Sequence, residues 1–347
     1  MKNFAIVTGL LSGFLFGIAT PLSKMMLHGL NSFQLAGLLY IGAALAMIPF
    51  VVRSGSQIQM LFKSGSRAKT LGIIFFGGFL GPLFLMVGLR VANAASVSIW
   101  LNMELVATAI LGVLIFKDSI DRLTWIGVIL TVLAGVVTSF GEGVGGFASA
   151  LLITAACFCW GIDNHLTALT DGASPQAVTF VKGLVAGSVN FGVGCLISDN
   201  SLFFVGISTA LIVGAFSYGI SIVLYIASAQ TIGATRGQIL FSTAPLWGVI
   251  LSYVFLHESI QWEHGVSILL LIIAVVLTSV LTHNHLHSHS AIEHIHIHRH
   301  TDGHHDHKHA EDEDVSRDKW HTHRHMHDAE IHEHPHYPDL HHRHKHK

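Results

Sequence analysis

The chain changes character once, between Thr282 and His283. Residues 1–282 consist mainly of long apolar stretches and carry 11 Lys+Arg and 9 Asp+Glu. The 65 residues that follow hold 23 of the 27 histidines. This boundary constrains the fold most, because the first part is too apolar for a water-soluble domain and the second is too polar to cross a membrane.

The apolar stretches predict membrane-spanning helices. A bilayer core is about 30 Å thick, and a helix needs about 20 residues to cross it. Alternation with period two is absent, and backbone groups in lipid must be paired within helices or a closed barrel, so helices are favoured. We therefore expect an all-α integral membrane protein with ten transmembrane helices. The predicted spans are residues 4–27, 33–53, 70–90, 93–116, 122–140, 147–166, 176–197, 203–226, 233–256 and 263–282.

The positions of lysine and arginine predict the orientation. Cytoplasmic loops of membrane proteins are enriched in these residues. With a cytoplasmic N-terminus, the inner loops collect the basic connection 54–69 and most other Lys and Arg residues, whereas Arg90 and the nearby Lys24 lie at outer ends. An even number of spans then places the C-terminus in the cytoplasm too. We expect a multi-pass protein of the cytoplasmic membrane.

Two sequence blocks recur at an offset of 140 residues. Phe-Lys-Asp-Ser-Ile at 116–120 returns as Leu-His-Glu-Ser-Ile at 256–260, and Val-Val-Thr-Ser at 136–139 returns as Val-Leu-Thr-Ser at 276–279. Five spans per half is an odd number, so the second half would enter the membrane from the opposite side. Such inverted repeats are typical of secondary transporters, with the substrate site near the midplane. We predict two five-helix repeats, 1–141 and 142–282, and a disordered cytoplasmic tail, 283–347.

These features resemble the EamA-type ten-helix members of the drug/metabolite transporter superfamily. The resemblance covers residues 4–282 and rests on the two halves and on the acidic turns Asp118-Ser119 and Glu258-Ser259. Gly-Ile-Ala-Thr-Pro-Leu-Ser-Lys at 17–24 and Trp-Gly-Ile-Asp-Asn-His-Leu-Thr at 160–167 are also similar to such proteins. The resemblance implies a transporter, usually an exporter, and not an enzyme. Substrates in this family range too widely to be inferred.

Polar residues inside the predicted spans mark candidate functional positions, because they are costly in lipid and usually face a cavity or a partner. Glu104 lies midway along the fourth span, and its counterpart in the second half is Ala244, so the repeat requires no acid there. Burial favours the protonated form of a carboxyl group in general, which suits proton coupling. The alternative is a structural carboxylate neutralised by an internal lysine.

Asp163, Asn164 and His165 cluster near the inner end of the sixth span. They either handle a substrate or an ion, or reach interfacial water. Lys24 and Lys182 would pair with Glu104 and Asp163 or bind an anionic substrate, and the sequence does not choose between these options. The other candidates for a cavity lining are Trp100, Asn102, Tyr225, Gln230, Arg236 and Gln238.

Glycine patterns in the body have structural interpretations. Gly9, Gly13 and Gly17, and likewise Gly183 and Gly187, are four residues apart and predict close helix packing in lipid. Gly-Glu-Gly-Val-Gly-Gly at 141–146 matches a dinucleotide-binding pattern but lacks the required βαβ context, so we interpret it as a helix connection. The sequence has no Walker A loop, and an ion gradient is the expected energy source, with a separate ATPase subunit as the alternative.

The tail contains three strings of histidines at spacing two. In an extended chain such residues fall on one side, and neutral imidazole binds Zn²⁺, Ni²⁺, Co²⁺ and Cu²⁺. We expect the tail to bind one of these metals, either to collect it for export, to sense metal or pH, or to buffer metal. The candidate ligands are His283, His285, His287, His289, His294, His296, His298, His300, His321, His323, His325 and His327.

The sequence therefore predicts a secondary transporter that exports a small metabolite in exchange for protons, with Glu104 as the coupling group and no required cofactor. One alternative is efflux of Ni²⁺, Co²⁺ or Zn²⁺ with the tail as collector. Another is a membrane sensor of metal or pH without transport activity. The expected partners are the lipid bilayer and a small-molecule or ion substrate, with no nucleic acid, and a homodimer is left open.

Overall fold

The computed structural model describes most of the body and four segments of the tail. The described residues are 2–52, 55–63, 65–116, 122–170, 174–198, 204–232, 240–241, 243–259, 261–279, 283–288, 292–298, 321–327 and 331–336. Every regular element described up to residue 279 is helical. The prediction of an all-helical membrane body is confirmed.

The helices before residue 117 form four apolar runs and one short connecting helix. They are α1 (Lys2–Gly17), α2 (Ala19–Met26), α3 (Ser32–Val51), α4 (Gly55–Leu61), α5 (Arg67–Gly72), α6 (Gly81–Val91), α7 (Ala94–Trp100) and α8 (Met103–Leu111). π-Helical segments follow α5, at Ile73–Leu80, and α8, at Gly112–Phe116. A capping box between Asn31 and Gln34 starts α3, because each side chain accepts a hydrogen bond from the backbone N–H of the other residue.

Helix α9 (Arg122–Ala168) contains a sharp reversal at Gly143. This residue has φ 66° and ψ −154°, a combination that is essentially restricted to glycine. The two arms, residues 122–142 and 144–168, both pack on the end of α7. Trp100 Nε1 donates to Gly135 O of the first arm, and Cys157 of the second arm contacts Trp100 O.

The remaining helices run from residue 175 to residue 279. They are α10 (Pro175–Leu196), α11 (Phe204–Val213), α12 (Ser221–Ile232), α13 (Ala244–Leu256) and α14 (Trp262–Ser279), with a π-helical segment, Gly214–Ile220, between α11 and α12. Ser174 caps α10 by accepting a hydrogen bond from the Ala177 backbone N–H at 3.3 Å.

Seven described helical runs are long and apolar enough to cross a membrane. They are Ile6–Met26, Ser32–Val51, Arg67–Val91, Ala94–Ile115, Trp125–Thr167, Pro175–Leu196 and Gly206–Tyr225, with shorter apolar helices at Ala244–Leu256 and Trp262–Leu277. Their outer surfaces carry large apolar side chains, such as Phe140 at 80% exposure and Leu114 at 75%, which suit lipid as the surrounding solvent. The count of ten crossings stays a prediction, and residues 233–239 of the predicted ninth span lie outside the described residues.

Glycines allow close contact between helices, as the sequence predicted. A Cβ atom on Gly183 would lie 2.6 Å from Tyr40 O, and one on Gly187 would lie 2.9 Å from Ile41 N, so α3 and α10 approach backbone to backbone. Likewise, a Cβ atom on Gly9 would lie 2.6 Å from Leu240 Cδ1, and one on Gly13 would lie 2.7 Å from Thr243 Oγ1.

The four described segments of the tail are strands. They are β1 (His283–Ser288), β2 (Ile292–His298), β3 (His321–His327) and β4 (Ile331–His336), and β1 pairs antiparallel with β4 and β2 with β3. The sequence predicted disorder here, but alternation of period two also suits extended pairing. Two-stranded ladders are marginally stable in water, so they contribute little to the stability of the body.

Candidate functional site

Five polar residues come together where α8, α10 and the second arm of α9 meet. We refer to Glu104, Asp163, Asn164, His165 and Lys182 as the central cluster. All five were candidates in the sequence analysis.

Asp163 and Lys182 form an ion pair between α9 and α10. Lys182 Nζ lies 2.6 Å from Asp163 Oδ2, and their side chains are only 12% and 5% exposed. Thr167 Oγ1 donates a second hydrogen bond to Asp163 at 3.3 Å. A Cβ atom at Gly77 would collide with the Asp163 carboxylate, so glycine provides the space for this pair. The sequence left the partner of Lys182 open, and in the structure Lys182 contacts Asp163.

The π-helical segment Ile73–Leu80 lies beside this ion pair. Its Gly77 carbonyl accepts hydrogen bonds from Tyr40 Oη at 2.8 Å and from Trp160 Nε1 at 3.2 Å. Asn190 Nδ2 lies 3.3 Å from each of the two following carbonyls. A π-helical turn is wider than an α-helical turn, so its backbone carbonyl groups can accept hydrogen bonds from these side chains. Such turns occur often at functional sites.

Glu104 directly follows a two-residue turn within its span. The predicted fourth span is one helical run in the structure, and the turn at residues 101 and 102 divides it into α7 and α8. Here the N–H groups of Asn102 and Glu104 bond three residues back, to Ile99 O and Leu101 O, each at 3.1 Å. The Asn102 side chain also donates to Ile99 O, at 3.2 Å. Glu104 is therefore the second residue of α8.

The Glu104 carboxylate is held by a neutral group. Asn164 Nδ2 donates to Glu104 Oε1 at 2.8 Å. Within the part of the chain that the structure describes, Glu104 forms no ion pair, although Lys182 and Asp163 are near enough to act on it electrostatically. The side chain is half-buried. Among the described residues, Glu104 is thus a carboxylate without a contacting cation, next to a carboxylate that has one.

His165 connects the second arm of α9 to α8. Its Nε2 atom lies 3.0 Å from Thr108 O. Because a carbonyl oxygen only accepts, Nε2 must carry the proton in this contact. The histidine is buried, and it fixes the arm that also presents Asp163 and Asn164.

Lys24, another predicted site residue, is not part of this cluster. Lys24 Nζ donates to Leu89 O at 2.6 Å and to Ala92 O at 2.8 Å, so it binds the carbonyl groups at the end of α6 and contacts neither Glu104 nor Asp163. Arg236 lies outside the described residues, as does Gln238.

A second polar cluster, which the sequence analysis missed, lies where α7 begins, α9 reverses and α14 begins. We refer to Asn93, Ser96, Glu142, Glu258 and His264 as the hinge-end cluster. Glu258 accepts hydrogen bonds from the backbone N–H groups of Ala94 at 2.8 Å and Ala95 at 2.9 Å, and so caps α7. The acidic turn of the repeated motif therefore has a structural role.

Hydrogen bonds link the rest of the hinge-end cluster. Asn93 Nδ2 donates to Glu142 Oε1 at 2.8 Å, and the Ser96 hydroxyl donates to the same oxygen. His264 Nε2 lies 2.9 Å from Ser96 Oγ. His264 within an apolar helix was the only signal for this cluster in the sequence. Its partners lie in two other helices, and only the fold brings them close.

An apolar crevice of about 610 Å³ separates the two arms of α9. No member of the central cluster lines it, so the crevice and the cluster are distinct sites. The crevice is lined by Trp100, Met103, Val132, Gly135, Val136, Ser139, Phe140, Gly143, Val144, Phe147, Ala150, Leu151 and Thr154.

Comparison with known proteins decides the family. The model of the EamA-like transporter family matches the chain twice, at residues 3–140 and 147–280. The chain belongs to the EamA-like transporter family. The resemblance inferred from the motifs is confirmed, and the chain is a multi-pass membrane transporter and not an enzyme.

Relatives agree with this assignment. An uncharacterized transporter of Methanothermobacter thermautotrophicus is 26% identical over 73% of this chain and 79% of its own length. A crystal structure described only as that of a protein superimposes with a TM-score of 0.59 at 14% identity, covering 80% of this chain and 96% of that one. The second likeness shows a shared fold.

Proposed function

We propose that this EamA-like transporter exports a small organic metabolite in exchange for protons, with Glu104 as the coupling carboxylate. The observation that carries the proposal is the environment of Glu104. A coupling group must gain and lose a proton in each cycle. Glu104 is held by the neutral amide of Asn164, so it can be protonated without breaking an ion pair among the described residues.

The turn before Glu104 supports a site at this depth of the membrane. Transporter sites are commonly built at discontinuous helices, whose ends present backbone groups to the solute. The turn between α7 and α8 is a local departure from α-helical hydrogen bonding inside one span, and Asn164 supplies a neutral amide to the carboxylate. We propose that an uncharged or zwitterionic polar solute binds beside Glu104.

We propose that the Asp163–Lys182 pair positions this site rather than binding the solute. Lys182 is already in contact with Asp163, so an anionic solute would have to displace a buried carboxylate. The pair holds the helical turn that also presents Asn164. Loss of the pair would therefore move the amide that contacts Glu104.

We propose ten crossings in two inverted halves, 1–141 and 142–282. Two separate matches to one family model support the halves. If each arm of α9 crosses once and α13 and α14 cross once each, the described runs add up to ten crossings. The distribution of lysine and arginine supports cytoplasmic termini, which would make the end of the bundle at Gly143 the outer end.

Metal binding by the tail is a separate proposal. The strand register places His294 opposite His325, His296 opposite His323 and His298 opposite His321. Opposed residues are backbone neighbours across an antiparallel ladder, and histidine-rich segments suit Zn²⁺, Ni²⁺, Co²⁺ or Cu²⁺. His289 and His300 lie outside the described residues. This register is the observation that favours metal efflux as a second candidate function.

The body gives less support to metal efflux. Within the described residues, no group of three or more His, Cys, Asp or Glu side chains is placed to hold a metal ion. We therefore propose that the tail binds metal while the body transports an organic solute.

The test uses the full-length protein in liposomes that contain a pH-sensitive dye. Amino acids, sugars, nucleosides and the chloride salts of Ni²⁺, Co²⁺ and Zn²⁺ are presented one at a time, and proton movement is recorded. We expect an organic solute to move protons in the wild type. Glu104→Gln should abolish this signal, and Glu104→Asp, which keeps a carboxyl group, should retain part of it.

Two outcomes would contradict the proposal. One is proton movement that is equal in the wild type and Glu104→Gln. The other is a signal from the metal salts alone, which would establish the second candidate function.

A further inference from the structure

The hinge-end cluster joins elements of both halves of the chain. Ser96 belongs to α7, Glu142 lies just before the reversal in α9, and His264 lies in the first turn of α14. His264 and Ser96 are 3% and 0% exposed, whereas Glu142 is partly exposed. Hydrogen bonds therefore lead from the surface to a buried histidine.

These hydrogen bonds fix His264 as neutral. The Gln261 backbone N–H donates to His264 Nδ1 at 3.2 Å, so Nδ1 carries no proton. The proton then lies on Nε2, which donates to Ser96 Oγ, and the Ser96 hydroxyl donates to Glu142. Glu142 accepts further hydrogen bonds from the side chain and the backbone N–H of Asn93, as an ionised carboxylate does.

Protonation of His264 is incompatible with this arrangement. A proton on Nδ1 removes the acceptor of the Gln261 N–H, and this hydrogen bond caps the N-terminus of α14. The cation would also lie at a helix N-terminus, where positive charge is unfavourable. Loss of the cap and repulsion by the helix dipole both favour movement of the first turn of α14.

Three carboxylates face His264, those of Glu142, Glu258 and Glu263. Glu263 Oε2 is buried and has no hydrogen-bond partner among the described residues. Glu258 is the carboxylate that caps α7, and Lys24 is near both Glu258 and Glu142. A positive charge on His264 would attract Glu258 and weaken its hold on the Ala94 and Ala95 N–H groups.

We propose that His264, Ser96 and Glu142 form a proton-binding latch between the two halves, which opens when His264 is protonated. The latch is closed while His264 is neutral. Its role in transport rests on the proposed function: protons outside the cell would open the outer end, where the solute leaves and the coupling proton enters.

Hydrogen–deuterium exchange on the full-length protein in detergent tests the latch. Both ends of the protein then experience the same pH, so the result does not depend on orientation. Exchange is measured between about pH 8 and about pH 4.5, a range that extends well below the ordinary pKa of histidine near 6.5 because the closed latch favours neutral His264. Rates are corrected for the intrinsic effect of pH on amide exchange.

We expect the wild type to lose protection at acidic pH in two peptides together, residues 93–100 and residues 257–268. The expected loss is about fivefold, the factor that corresponds to one helix cap of about 1 kcal/mol. His264→Asn keeps an acceptor for the Gln261 N–H, and His264→Gln keeps a donor for Ser96, but neither titrates near neutral pH. Both should lack the acid-induced change.

His257→Asn is the matched control, because it removes an exposed neighbouring histidine at a left-handed position that asparagine tolerates. It should respond as the wild type does. An equal pH response in His264→Asn, or a loss of protection confined to residues 257–268, would overturn the latch. The assay measures no transport, so the latch and the coupling role of Glu104 can fail independently.

Discussion

The central cluster and the hinge-end cluster both place carboxylates among apolar helices, but they balance the negative charge differently. In the central cluster, Asp163 contacts the Lys182 ammonium at 2.6 Å. In the hinge-end cluster, Glu142 and Glu258 are held by backbone N–H groups, an amide and a hydroxyl. Glu104 resembles the second kind, although it lies beside the first.

This difference separates structural from exchangeable charge. When a buried carboxylate in an ion pair is protonated, its partner cation is left without a compensating charge. A carboxylate held by neutral donors has no such cation to leave behind. Under the proposed function, Asp163 is therefore expected to keep its charge throughout a cycle, whereas Glu104 and the hinge-end residues are expected to exchange protons.

The largest expected effect comes from breaking the ion pair. Lys182→Met and Asp163→Asn should each lower the free energy of unfolding by about 3–5 kcal/mol, because each leaves one buried partner uncompensated. Unfolding of the purified protein in detergent measures this loss. The double variant should be more stable than either single variant. Additive losses would show that the two residues do not act as a pair.

A smaller loss of stability is expected at the reversal in α9. Gly143→Ala should cost about 1–3 kcal/mol, because φ 66° and ψ −154° strain any residue with a Cβ atom. No neighbouring atom would clash with that Cβ, so the loss isolates backbone strain. Gly145→Ala is the matched control, since its Cβ would make an ordinary contact with Val91 O at 3.4 Å. Equal thermal stability of the two variants would contradict the account of the reversal.

The sequence predicted much of this arrangement, and the reasons for the failures are physical. Length and hydropathy located the spans, since lipid demands helices of that length. The cost of charge in lipid identified Glu104, Asp163 and Lys182. Which lysine contacts which carboxylate depends on helix packing, and packing placed Lys24 on the end of α6 instead.

The turn before Glu104 and the hinge-end cluster could not be predicted from the sequence for related reasons. Residues 94–111 contain no proline or glycine that would mark a helix break. The hinge-end cluster includes a hydrogen bond between side chains 168 residues apart, and each residue alone resembles an ordinary polar residue near a helix end. Glu142 lies in the glycine-rich run that we interpreted only as a connection.

The cap on α7 should contribute less than the reversal. Glu258→Ala should lower the free energy of unfolding by about 1 kcal/mol, because the first N–H groups of α7 lose their acceptor. Ser259→Ala, at the next and exposed position, is the control. Thermal unfolding measures the loss. Unfolding of both variants at the wild-type temperature would contradict the capping role of Glu258.

The smallest effect on the body is expected from removal of the tail. Deletion of residues 283–347 should change the unfolding free energy by less than about 0.5 kcal/mol, because surface changes away from the core are usually that small. Equilibrium dialysis against NiCl₂ should show that the truncated protein loses most of the Ni²⁺ bound by the full chain. Equal binding by both proteins would place the metal site in the body.

Solute exchange in liposomes tests the central claim, the coupling role of Glu104, most directly. The solute identified in the dye assay is placed on both sides of the membrane, and radiolabelled exchange is compared with net transport driven by a pH gradient. We predict that Glu104→Gln still exchanges the solute, at a rate independent of pH, and loses net transport by at least about tenfold. Net transport driven by the pH gradient at the wild-type rate in Glu104→Gln would contradict the account.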